Sequence, residues 1–246
     1  MSVLAIHRLV HSRFTGLTNE TQTKVCGTLT VSSGRSRRPE LRLRAVLHGF
    51  LRSTTAVLLV LAVLVALLRR AAAGPLGWGD AFVLAGLTVL RPFAEWALHK
   101  QVLHGRPRRW ARFTLDSLAA RAHRAHHAAP RDPRHLLTPA RVVVELVVVA
   151  WLATLWLPAP LDATALVAIL AFALAAEWTH VLLHSAYQPR TAWLRGLVRR
   201  HRLHHHRNDN YWFGLTSTTA DRMLATSPNP ADVPVSAITR AIQTRR

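Results

Sequence analysis

Residues 95–127 read EWALHKQVLHGRPRRWARFTLDSLAARAHRAHH, and residues 177–205 read EWTHVLLHSAYQPRTAWLRGLVRRHRLHH. The two stretches share one order: Glu-Trp, a spaced histidine pair, a basic linker, then H-x-x-H-H. In the first, Glu95-Trp96 precedes His99 and His104, and His123, His126 and His127 follow. In the second, Glu177-Trp178 precedes His180 and His184, and His201, His204 and His205 follow. Each is entered from an apolar run, so an internal repeat covers residues 81–127 and 163–205. His123, His126 and His127 stand at i, i+3 and i+4, one face of a helix, and His201, His204 and His205 repeat that spacing. His180 and His184, at i and i+4, also share a face. His99 and His104 are five apart and diverge by about 140° on an ideal α-helix. That pair requires the helix to unwind or bulge at its end, and Gly105 and Pro107 just beyond it favour such an end.

Outward from the repeat lie four apolar runs: Thr54–Leu68, about Ala81–Leu98, Val142–Leu161 and Ala163–Ala176. Each reaches the length of a membrane span if one flanking charge snorkels or faces the bundle interior. The second to fourth show little of the polar face that a soluble helix needs. The alternative is a soluble bundle of four buried helices. The chain carries 32 Lys+Arg against 12 Asp+Glu, a formal charge of +20. Such a balance on a soluble fold would point to nucleic acid. Here the basic residues lie between apolar runs, as in membrane proteins facing anionic headgroups. The fold expected is all-α: an integral-membrane bundle of about four transmembrane helices in two hairpins, under a cytosolic, histidine-rich helical cap. Residues 1–44 read as a basic, disordered tail (an organelle transit peptide being the other reading), 45–240 as the membrane domain, and 241–246 as a second tail. The long connections are the basic ones, which puts both termini and the central loop on the cytoplasmic side. Arg69-Arg70, in an outer connection, conflicts with that rule.

The single cysteine, Cys26, excludes a thiolate cluster. Any metal must be held by imidazole and carboxylate, a donor set suited to iron, zinc or copper. Ten histidines are too many for one ion and suit two. His7, His11, His48 and His135 stand outside the pattern and read as surface or packing residues. The run His204-His205-His206 allows a register one residue later, but only 201/204/205 copies the first cluster. Glu95 and Glu177 are candidates to accept a hydrogen bond from a ligand ring. The competing reading is an intramembrane ion pair, Glu95 with Arg91. Trp96, Trp178 and Trp193 read as interface-belt residues or as walls of a lipid tunnel.

At these residues the sequence resembles the fatty acid hydroxylase/sterol desaturase superfamily. The pattern there is H-x(3,4)-H, H-x-x-H-H, H-x-x-x-H, H-x-x-H-H. Here it stands as His99-KQVL-His104, His123-RA-His126-His127, His180-VLL-His184 and His201-RL-His204-His205. Residues 208–224, NDNYWFGLTSTTADRML, resemble the stretch that follows the last histidine box. The likeness covers roughly residues 80–240. It implies two iron ions (zinc standing in for them in a preparation), O2 as co-substrate, and hydroxylation or desaturation of a membrane lipid, a fatty acyl chain or a sterol-like lipid. It also implies a separate electron donor of ferredoxin or cytochrome b5 type, since no such domain is recognisable in the sequence. Asn210, Tyr211 and Trp212, just after the last box, are candidates to line the substrate entrance. The composition points to a bacterial cytoplasmic membrane. HKQVLHG also resembles the carotenoid hydroxylase branch, which is the alternative substrate class. The rival from another class is a non-catalytic membrane carrier of zinc or copper. A nucleic-acid partner is not expected, and the sequence sets no oligomeric state.

Overall fold

The computed structural model describes residues 39–243. The tail assigned to residues 1–44 therefore lies mostly outside the described residues. Its last six residues open the first helix, α1 (Pro39–Leu51). The order continues α2 (Thr54–Ala72), α3 (Trp78–Ala97), strands β1 (Arg108–Trp110) and β2 (Phe113–Leu115), α4 (Leu118–Ala128) and α5 (Ala140–Thr154). It ends with α6 (Leu161–His184), α7 (Ala192–His206), α8 (Thr219–Met223) and α9 (Ala237–Gln243).

Four helical stretches are long and apolar enough to cross a membrane: Thr54–Ala72, Trp78–Leu103, Pro133–Thr154 and Leu161–His184. They are joined as two hairpins. Their outer faces carry bare apolar side chains, with Val65, Leu68, Phe82 and Val89 all more than 60% exposed. A soluble bundle would bury such a surface; a lipid-facing one presents it. The chain is an integral-membrane helical protein. The third span differs from its expected bounds. The apolar run continues to Leu161, but the helix stops at Thr154, because Pro158 and Pro160 have no amide hydrogen to extend it.

α6 is the central element and packs on α2, α3 and α5. Small residues let the helices approach, with Ala66 of α2 and Ala150 of α5 meeting Leu166 and Leu170 of α6. At the end of the bundle away from the histidines, the two adjacent arginines take one acid from each half of the repeat. Arg70 binds Asp80 of α3 through Nε at 2.9 Å and Nη2 at 2.7 Å, and reaches Thr164 Oγ1 at 2.7 Å. Arg69 pairs with Asp162 of α6. Asp80 precedes Glu95 by fifteen residues, as Asp162 precedes Glu177. Both cations of the Arg69-Arg70 pair are thus neutralised where they stand.

At the histidine end, α4 and α7 form a cap. Ser117 opens α4 by accepting from Ala120 N at 3.1 Å, and Thr191 opens α7 by accepting from Leu194 N at 3.3 Å. The two-stranded hairpin before α4, with Arg108 opposite Leu115, is an addition to the all-helical expectation. Its turn runs through Ala111 at φ 50°, so it lacks the Asn-Gly or Asp-Gly signature that makes hairpins visible in sequence.

Candidate metal centre

The spacing of the first histidine pair determines the local backbone. α3 runs into a π-helical turn, Leu98–Leu103, and the His104 amide donates to His99 C=O at 3.0 Å. An i→i+5 bond of this kind admits one extra residue per turn and brings His99 and His104 onto one face. This is the bulge the spacing requires. The second pair needs none: His180 and His184 close an unbroken α6.

The four boxes converge as two groups of five. His99, His104, His123, His127 and His204 form one; His126, His180, His184, His201 and His205 form the other. In each group the ligating nitrogens lie within 4.8 Å of one another. The grouping crosses the repeat. The outer two histidines of each H-x-x-H-H join their own half, while the central ones, His126 and His204, join the opposite half. On α4, His123 and His127 stand in line one turn apart, and His126 projects to the side of that line. His206 belongs to neither group, and the second cluster enters through His201, His204 and His205.

Several rings are aimed by their second nitrogen. His99 Nδ1 donates to Phe213 C=O at 2.5 Å, and His204 Nδ1 to Tyr211 C=O at 2.7 Å. His180 and His184 approach the backbone at Leu136 and Pro130. A ring that donates through Nδ1 turns its Nε2 lone pair inward. Nε2 atoms then face each other at 3.1 Å, as in His99–His123 and His104–His204, and at 2.7 Å in His184–His201. Neutral imidazoles at that distance either share an N–H···N hydrogen bond or hold a cation between their lone pairs. Burial, reinforced by neighbouring imidazoles, pushes His104 and His204 down to about 3. The same causes hold His123, His126, His127, His201 and His205 well below the ordinary histidine value. All enter as neutral donors. An ion about 2.1 Å from each nitrogen needs opposite ligands about 4.2 Å apart, which these groups accommodate. The residues therefore fit two metal ions with all-imidazole coordination.

The histidines floor an apolar cavity of about 360 Å³ between the spans. His99 and His123 of one group and His126 and His180 of the other face it, beneath walls that include Leu90, Val142, Leu146 and Phe172.

The family model for fatty acid hydroxylases matches residues 84–226. The chain belongs to the fatty acid hydroxylase family. Among curated proteins, a dihydroceramide fatty acyl 2-hydroxylase, FAH2 of Arabidopsis thaliana, is 28% identical over 135 residues, 54% of this chain and 55% of that protein. The chain thus spans about half the length of the curated relative it matches. A solved structure described as full-length scs7p, with only the hydroxylase domain visible, aligns with a TM-score of 0.59 at 22% identity. The alignment covers 74% of this chain and 69% of that one, and it supports the fold.

Within this member of the fatty acid hydroxylase family, three sequence readings change. Glu95 and Glu177 do not hydrogen-bond ligand rings. Glu95 accepts from the amides of Leu215 and Thr216, at 2.5 and 2.9 Å, and from the Thr216 hydroxyl. Glu177 accepts from the Thr138 amide at 3.4 Å and from the Thr138 hydroxyl. Each glutamate therefore grips the Leu-Thr loop of the opposite half, eleven residues past that half's last box histidine. Nor does Glu95 pair with Arg91, because its oxygens are already taken. Finally, Asn210, Tyr211 and Trp212 do not line the cavity. Asn210 turns back onto Asn208 Oδ1, Tyr211 offers its carbonyl to His204, and Trp212 is buried at φ 59°.

This post-box loop orients two box histidines, through the carbonyls of Tyr211 and Phe213, and reaches the cavity only at Leu215. Asp221 accepts from the amides of Phe213 and Gly214 at 3.0 and 2.8 Å and from Thr226 Oγ1 at 2.6 Å, and so fixes the carbonyl that orients His99. A Cβ on Gly214 would fall 1.9 Å from Ser217 O, so only glycine fits. Trp96 ties α3 to the same loop through Thr226 Oγ1 at 2.9 Å, and Trp178 packs on Phe50. Of the three tryptophans singled out, only Trp193 is largely exposed. Asp221 escaped the sequence reading, although it lies within the quoted tail.

Proposed function

We propose that the chain is a membrane-bound, O2-dependent di-iron hydroxylase of a lipid. The ten box histidines would hold the irons, and a fatty acyl chain or sterol-like lipid would be the substrate. The observation that carries this reading is the cavity: apolar walls at membrane depth over a floor with histidines of both groups. A metal carrier has no use for a lipid-sized chamber opening onto its ligands. The relative's name, a fatty acyl 2-hydroxylase, favours hydroxylation over desaturation.

Two irons bound there would supply the oxidising power to place one oxygen atom of O2 into a C–H bond. The balance is R–H, O2, two electrons and two protons giving R–OH and water, with the electrons from a separate donor of ferredoxin or cytochrome b5 type. The protein's share is positional. The cavity walls exclude water and present the chain to the histidine floor. The carbonyls of Phe213 and Tyr211 keep His99 and His204 in the ligating tautomer. Glu95 and Glu177 lock the two halves around the site. The distribution of basic residues puts the histidine end and both termini on the cytoplasmic side, where a soluble donor reaches them.

The test is elemental analysis of the detergent-purified protein alongside comparative lipidomics of cells with and without the gene. The expected result is two irons per chain, one per histidine group, and a hydroxylated lipid that appears only with the gene and takes its label from 18O2. Zinc or copper at full occupancy after iron supplementation, with an unchanged lipid profile, would replace this reading by the carrier.

A further inference from the structure

Three charged side chains line the apolar cavity: Arg91, Glu95 and Glu177. Both carboxylates are engaged by the Leu-Thr loops. Arg91 is not. Its Nε is buried without a hydrogen-bond partner, and no ion pair among the described residues includes it. Its guanidinium lies 5.4 Å from the centroid of Phe172, a contact that offsets only part of the cost of a cation at this depth. Arg91 stands eight residues before His99 on α3, about 12 Å further into the bilayer along the helix axis.

We infer that Arg91 binds an oxygen of the lipid, so that the substrate carries a hydrogen-bond acceptor set apart, along the chain, from the carbon presented to the histidines. The inference rests on the cavity being the substrate site, as proposed above. The acceptor is a hydroxyl, carbonyl or carboxylate oxygen. The guanidinium fork suits any of them. A lipid whose only polar group adjoins the oxidised carbon would lay bare methylenes against Arg91 and leave it unpaired. Arg91 therefore sets both the class of lipid and the position along it.

The test needs neither metal nor turnover. Metal-free protein in lipid nanodiscs is titrated with tritiated hexadecane, 1-hexadecanol and hexadecanoic acid. The wild type is expected to prefer the oxygenated chains over hexadecane by about tenfold or more. Arg91→Leu should lose that preference and keep hexadecane binding, and Arg91→Lys should retain part of the preference. The alcohol and acid arms decide whether a neutral or an anionic oxygen is favoured. The thermal midpoint of Arg91→Leu should stay level or rise, since an unpaired cation is removed. An equal preference in wild type and Arg91→Leu overturns the inference, and so does the absence of chain binding by the wild type. A lowered midpoint with all chain binding lost in Arg91→Leu would make Arg91 a structural residue, and would overturn it too. Failure to load iron or form product sinks the hydroxylase reading alone.

Discussion

The two halves of the repeat build equivalent histidine groups from unequal backbones. In the first half the span ends in a π-helical turn and its histidines are five apart; in the second an ordinary α-helix carries them four apart. The first half's post-box loop is short and runs directly into α5. The second half's is long and braced by Asp221 and Thr226. At the far end, Asp80 is buried and fully engaged by Arg70, whereas Asp162 pairs with an Arg69 that is 42% exposed and keeps one oxygen without a partner. Ligand geometry is what the halves share, and each reaches it by a different local route.

The comparison breaks most sharply at the crossed ligands. His126→Ala and His204→Ala should each reduce activity by more than about 100-fold, since even partners of ligands cost 10–100-fold. Each should lower metal content from two ions to one, with His126→Ala emptying the group built on the second half. Two ions retained in either variant would sink the crossing. Next come the acids at the far end. Asp80→Asn should lower the thermal midpoint clearly more than Asp162→Asn, because it strands a buried guanidinium; equal shifts would make the two ends of the repeat equivalent. The glutamates should follow. Glu95→Ala leaves two amides and a hydroxyl without an acceptor and should cost about 2–4 kcal/mol, against about 1–3 kcal/mol for Glu177→Ala. Chemical unfolding in detergent would measure both, and a reversed order would contradict the loop-gripping role. The smallest effect expected is from deleting Gln101. The π-helical turn should relax to α-helix and give the first half the second half's spacing, with metal content unchanged. Loss of the first ion would show that the extra residue is indispensable.

Much of this was legible in the sequence, because the signals were local and doubled. The two H-x-x-H-H clusters placed six ligands on helical faces, and the five-residue gap from His99 to His104 called for a bulge. What escaped depends on contacts distant in the chain. The ion pairs of Arg69 and Arg70 with Asp162 and Asp80 were not visible from the sequence. Glu95 and Glu177 looked close enough to orient their neighbouring histidines, yet their partners lie 39 to 121 residues away. A trace was present even so: Leu137-Thr138 and Leu215-Thr216 repeat at the same distance beyond each final box. Asn210, Tyr211 and Trp212 were misread because an aromatic run beside a metal box resembles a lipid entrance. Only the backbone course, with Trp212 at positive φ, shows that the run turns its carbonyls toward the ligands.

The exchange of His126 and His204 bears on how the protein is made. Each half alone offers four imidazoles to its own group, and the fifth arrives from the other half. On the proposed metal assignment, a nascent chain that has released only its first half would offer an ion four of its five imidazoles. Both groups would then be completed together, only once the last box is translated.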